Sequence, residues 1–160
     1  MWAKSIVGIT NEGIIRCPMC CFLPYLKTYG RDGTYYGKSK YVCDVCLFVP
    51  KFTVSDADGN VHYLLRPDTC VFGLCVLCKC GGSKGKCCRV PFPIRDPHTL
   101  AKLGDAEVTD LWAGFKNEFC TRKNIYALKF PAGATTDLKA TLIGATLLMD
   151  ISLFEQADGL

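Results

Sequence analysis

Short β-branched runs separated by turn residues fill the amino-terminal part of the chain, whereas apolar positions at helical spacing, framed by capping residues, mark the carboxy-terminal part. Runs of the first kind predict strands, because successive side chains of a strand point to opposite faces and β-branched residues suit a pleated surface. Ser5 to Thr10 and Gly13 to Arg16 flank the turn signal Asn11-Glu12-Gly13. Lys51 to Val54 and Val61 to Leu65 flank Ser55-Asp56-Ala57-Asp58-Gly59-Asn60, a hairpin loop in which Gly or Asn supplies positive φ. Asp56-x-Asp58-Gly59-Asn60 has some of the residues of a calcium loop, but it lacks the spacing and closing Glu of an EF-hand.

Helix punctuation takes over after Val90-Pro91-Phe92-Pro93, which reads as a linker. Asp96-Pro97 offers an N-cap followed by proline at the first helical position, with Gly104 closing that helix at Leu103. Asp105 then caps a longer helix whose Val108, Leu111, Trp112, Phe115 and Phe119 share one face at 3.6-residue spacing. Asn124 to Phe130 reads as a strand ended by Pro131, and Thr135 or Thr136 begins a third helix. In that helix Lys139, Thr146 and Asp150 form a narrow polar stripe, and Leu138, Leu142, Ile143, Leu147, Met149, Ile151 and Leu153 cover most of the rest. A strand is the alternative, since the odd positions from Ile143 to Leu153 are all apolar. Either way the segment belongs in the core or against a partner.

Composition sets the frame for these elements. At 160 residues, 49% apolar and 21% charged, the chain has room for one core or for a metal-stapled module plus a small core. No apolar run is long enough to cross a membrane, and Met1 to Gly13 is not a secretory signal, so the expected location is intracellular, cytoplasmic or nuclear, with no membrane partner. Residues 1–91 carry 12 Lys/Arg against 6 Asp/Glu, and residues 92–160 carry 7 against 9. The sequence therefore divides into a basic, cysteine-rich part, 1–91, and a helical packing or interface part, 92–160.

Of the 12 cysteines, all but Cys120 lie between Cys17 and Cys88. Without an export signal, thiolates on metal are favoured over disulfides. Cys17-Pro-Met-Cys20 and Cys43-Asp-Val-Cys46 have the pair spacing of a tetrahedral zinc site, each pair making one turn and the intervening chain folding back as a hairpin. A second zinc is expected on Cys75, Cys78 and Cys87 or Cys88, with Cys70, Cys80 or the other member of the vicinal pair as fourth ligand. Cys70-x4-Cys75-x2-Cys78 also fits the spacing of a plant-type [2Fe–2S] loop, but its intervening residues are bulky where that loop needs small ones. The first four cysteines give the chain a generic resemblance to zinc ribbons over about a fifth of its length, with Cys21 standing where such knuckles often have Gly. The expected fold is α+β: a zinc-ribbon-type antiparallel β part stapled by metal, followed by a small helical part.

Between the two cysteine pairs, Tyr25, Tyr29, Tyr35, Tyr36 and Tyr41 alternate with Lys27, Arg31, Lys38 and Lys40, with Asp32 as the single acid. Cations neutralise phosphates and flat rings stack on unpaired bases, so Tyr25, Lys27, Tyr29, Arg31, Tyr35, Tyr36, Lys38 and Lys40 form a candidate nucleic-acid surface. The bland alternative is a thin core covered by tyrosines and an edge solvated by lysines. Gly81-Gly82-Ser83-Lys84-Gly85-Lys86 lacks Walker spacing, and His62 and His98 sit in no catalytic motif, so an enzyme is not expected. The leading expectation is a zinc-stabilised nucleic-acid-binding accessory protein, cellular or viral. The alternative is an assembly subunit, of a virion or another complex, that uses its apolar carboxy-terminal segment for self-association or for a protein partner.

Overall fold

A computed structural model describes residues 23–44, 47–70, 75–76, 90–111 and 125–153. The chain runs β1 (Tyr25–Tyr29), β2 (Tyr35–Asp44), β3 (Leu47–Asp56), β4 (Val61–Leu65), β5 (Thr69–Cys70), β6 (Cys75–Val76), β7 (Pro91–Arg95), β8 (Lys102–Leu111), β9 (Ile125–Lys129) and α1 (Thr136–Leu153). Seven strands form one antiparallel sheet in the order β1-β2-β3-β4-β7-β8-β9, and β5 pairs with β6 apart from it. Helix α1 packs on β1, β2 and β3 and also touches β9 at the far end of the strand order, so the sheet curls around it as a half-barrel. Tyr126 on β9 donates from its hydroxyl to Asp150 Oδ1 of α1 at 2.9 Å, tying the last strand to the last turns of the helix.

Alternation builds the concave face. Leu26, Phe52, Val54, Leu65, Ile94 and Val108 point inward and meet Leu138, Leu142, Ala145, Leu148 and Met149 in one buried cluster. Small residues let helix and sheet approach closely. A Cβ on Gly144 would lie 2.7 Å from Thr28 Oγ1 and 3.0 Å from Leu26 Cδ2, and one on Gly37 would collide with the Ser55 carbonyl and come within 2.9 Å of Thr141 Oγ1. Ser39, fully buried, donates its hydroxyl to the Thr141 carbonyl at 2.9 Å. The helix's own polar positions turn back on its backbone: Thr141 donates to the Asp137 carbonyl at 2.8 Å and Thr146 to the Leu142 carbonyl at 3.1 Å. A hydroxyl bonded in this way can be buried at little cost.

The zinc-ribbon fold class does not hold. The Tyr/Lys segment is the first hairpin of a seven-stranded sheet that shares one apolar core with α1, which is not the architecture of a zinc ribbon. The helical reading of 92–119 also fails wherever the chain is described. Pro91–Arg95 is β7, paired with β4 and β8, and Lys102–Leu111 is β8, with Ala106 and Val108 buried on its inner face. Asp96 does cap, accepting the His98 and Thr99 amides at 2.9 and 2.7 Å, but only one turn follows. Leu100 takes a left-handed φ of 60° and the Asp96 amide bonds the Ala101 carbonyl, returning the chain as a hairpin. Trp112, Phe115 and Phe119, and the strands expected over residues 5–16, lie outside the described residues. The β3–β4 hairpin, β9 and the helix from Thr136 stand where the sequence places them.

Candidate functional site

The convex face of β1, β2 and β3 collects the residues that the sequence singles out. In β1 the inward Leu26 and Thr28 are buried, leaving Tyr25, Lys27 and Tyr29 outward. In β2 the inward Gly37 and Ser39 leave Lys38 and Lys40 outward, and in β3 the inward Phe52 and Val54 leave Lys51, Thr53 and Ser55 outward. Cross-strand register then sets Tyr25 opposite Lys40 and Lys27 opposite Lys38, with Lys40 opposite Thr53 and Lys38 opposite Ser55. A register shift between Thr28 and Tyr29 pairs Tyr29 with Tyr35, and their rings lie 5.4 Å apart. Ser55 donates its hydroxyl to the Lys38 carbonyl at 3.1 Å, so the small polar residues of β3 hold the strand that carries the lysines.

Two features of this face are not explained by stability. Lys27 and Lys38 face each other directly, and like charges in that position destabilise a sheet. Both ammonium groups lean over the Tyr25 ring, Lys38 Nζ at 4.3 Å and Lys27 Nζ at 6.0 Å from its centroid, a cation–π arrangement that offsets part of the repulsion. None of the described outward positions on these strands that pair with the lysines is acidic. The face is therefore a cationic and aromatic surface. Burial pushes the Tyr35 phenol above its ordinary value, with Lys27 pulling against the rise, so Tyr35 is a neutral hydroxyl at physiological pH.

Of the other predicted residues, Arg31 is exposed in the turn between Gly30 and Thr34, and Tyr36 lies across Gly30, whose missing side chain leaves room for the phenol. Lys51, not among the residues singled out from the sequence, stands opposite Val42 on the same face, and the period-two pattern Lys51, Thr53, Ser55 beyond the second cysteine pair is its signal. Cys17, Cys20, Cys46, Cys78, Cys87 and Cys88 lie outside the described residues. Cys43 lies in β2, and Cys75 in β6 pairs with Cys70 in β5. At the sheet's other end, Asp56 accepts the Asn60 amide at 2.9 Å and sits 2.7 Å from His62 Nε2; the His62 bond leads the causes that hold its pKa at about 2. These contacts close the β3–β4 hairpin, and with them the carboxylate serves as a turn fastener.

The chain matches the Scramblase family over residues 8–156. It is 30% identical over 152 residues to human phospholipid scramblase family member 5, covering 93% of this chain and 50% of that protein. It is 27% identical to bovine phospholipid scramblase 2 over 154 residues, with 94% and 47% covered, and 27% identical to mouse phospholipid scramblase 1 over 151 residues, with 92% and 41% covered. The chain thus spans about half the length, or less, of the curated relatives it matches. No solved structure matches it. A family match across nearly the whole chain overturns the reading as a zinc-ribbon nucleic-acid-binding protein, along with its virion-subunit and [2Fe–2S] alternatives.

Proposed function

This chain belongs to the Scramblase family, and from that membership we propose that it engages phospholipid headgroups through the convex face of β1–β3, by non-covalent contact and without enzymatic chemistry. The observation that carries the reading is the Lys27–Lys38 pair, set face to face over Tyr25. A phosphate or carboxylate of a lipid headgroup placed between the two ammonium groups converts a repulsion into two attractions. Tyr25, Tyr29 and Tyr35 suit the same boundary, because a phenol offers an apolar body to the acyl edge and a hydroxyl to the headgroup layer. On this reading the partner is a membrane surface, where the sequence alone points to nucleic acid and no membrane. None of the described helices is long and apolar enough to cross a bilayer, and a surface-bound mode does not require one.

Flotation with phosphatidylcholine vesicles, with and without phosphatidylserine, tests the proposal. Binding is expected only with the anionic lipid, is weakened by salt, and falls when Lys27, Lys38 and Lys40 are changed together to Gln, by about 1 kcal/mol per lysine. Binding that is equal for the two vesicle types, or equal for the triple variant and the native chain, contradicts it.

A further inference from the structure

A second basic feature lies away from the convex face, where β4 and β7 part. These two strands share only the pairs Leu64 with Arg95 and Leu65 with Ile94. Beyond them a cavity of about 490 Å³ opens, lined by Arg66, Pro67, Asp68, Thr69, Arg95, Leu100 and Lys102. That volume is in the range of small-molecule pockets, roughly 300–1,000 Å³. Three of the lining residues are cations and one is an anion.

The single carboxylate is fully engaged. Asp68 Oδ1 accepts from Arg95 Nη2 at 2.5 Å and Asp68 Oδ2 from Lys102 Nζ at 2.7 Å. Arg95 is held from its other side too, donating from Nη1 to the Leu100 carbonyl at 2.9 Å. Leu100 itself holds a left-handed φ, a conformation a leucine adopts only when its surroundings impose it. The guanidinium is thus fixed in place, with donors left over. Arg66 makes no ion pair among the described residues, and Nε of Arg66 and Nε of Arg95 are both buried without a hydrogen-bond partner. A buried N–H left unpaired is costly, and the two guanidinium groups that carry these atoms line the same cavity, where an acceptor beyond those the described residues supply would be favourable. The described lining residues carry two positive charges in excess, which favours an anionic acceptor. It must also have several oxygens, because a guanidinium presents its donors as a planar fork.

The geometry points to a binding site for a phosphate group in this cavity, with Arg66 as the free guanidinium, Arg95 as the pre-positioned one, Lys102 at the mouth and the Thr69 hydroxyl as a neutral donor. The phosphate belongs either to a small soluble phosphomonoester or to the headgroup of an anionic phospholipid. The site is separate from the β1–β3 face and goes beyond the function proposed for that face.

Two arms of one experiment identify the source and test the site. In the first, the full chain is titrated with glycerol 3-phosphate by calorimetry at low salt. In the second, it is floated with phosphatidylcholine vesicles containing phosphatidic acid, in a Lys27→Gln, Lys38→Gln, Lys40→Gln background that removes the convex-face lysines. In at least one arm Arg66→Gln is expected to weaken binding roughly tenfold or more, as loss of a charged hydrogen-bond pair does. Lys102→Gln, at a half-exposed position where the fold is tolerant, is expected to weaken the same arm. Arg66-dependent binding of glycerol 3-phosphate assigns a soluble ligand, and Arg66-dependent binding of the vesicles alone assigns the lipid. Absence of binding in both arms, or binding unchanged by Arg66→Gln and by Lys102→Gln, overturns the site. Failure of the convex face would show instead as phosphatidylserine binding indifferent to Lys27, Lys38 and Lys40, so the two proposals fail separately.

Discussion

The two faces of β1–β3 are made by the same strands, one residue out of step, and they obey different rules. The concave face is dense and specific: Gly37, Ser39, Thr28 and Leu26 are shaped to the groove beneath α1, and a single added carbon at Gly144 has nowhere to go. The convex face is indifferent to packing and contains an arrangement that packing alone would remove, with Lys27 opposite Lys38. A position that stability shapes is read from sterics, whereas a position that stability leaves unexplained is where function is to be sought.

Changes on the concave side sharpen this contrast most. Leu142→Ala empties a fully buried position on α1 and is expected to lower unfolding free energy by about 2–5 kcal/mol in urea titration. Gly144→Val overpacks the contact with Thr28 and Leu26 and is expected to cost about 1–3 kcal/mol, with β1 amides exchanging faster because that strand must move away. On the convex side, Lys27→Gln with Lys38→Gln is expected to leave stability within about 0.5 kcal/mol of native, or raise it slightly by relieving the facing charges, while reducing binding to anionic vesicles. A double variant that unfolds would break the division between the faces.

The smallest effect is in acid. The Asp56 carboxyl, with His62 and Asn60 bonded to it, titrates at about 2 instead of 3.8. Because the folded value is the lower one, the contribution is complete above pH 3.8 and disappears as pH falls through about 2. Asp56→Asn should therefore differ from native in urea midpoint at pH 5 and converge with it near pH 2. A difference that persists at the lower pH would mean that the loop is held by something other than this charge.

The local elements were largely legible and their assembly was not. Gly59, with φ of 91°, closes the β3–β4 hairpin as the Asp-Gly-Asn signal requires, and Pro131 ends β9. The helix from Thr136 is also where Thr135 can cap it, with Thr135 Oγ1 accepting the Leu138 amide at 3.4 Å. β8 was misread because Val108 and Leu111, three apart, fit a helix face, while the alternation of Ala106 and Val108 is too short to compete with a long aromatic stripe. Tertiary pairing with β7 and β9 decides the matter. The cysteine pairs drew the reading toward a metal-held ribbon, since spacing alone does not reveal that a sheet and helix will supply a core of their own. The composition of the convex face is legible in the sequence, but it cannot choose a partner, because lysine and tyrosine suit phosphate on a nucleic acid and phosphate on a lipid alike. The Arg66 cavity has no local signature, because its cations come from β4's exit, β7 and β8 and meet only in three dimensions.

The central claim, that the molecule meets anionic lipid with its convex face, is tested most directly by paramagnetic broadening of backbone amide signals on vesicles carrying a headgroup nitroxide. The account predicts that Tyr25, Lys27, Tyr29, Lys38 and Lys40 broaden first and that α1 is spared, including its exposed pair Ile143 and Leu147. Broadening that begins at Ile143 and Leu147 and leaves β1 and β2 sharp would contradict it, and would make the helix the membrane-facing element.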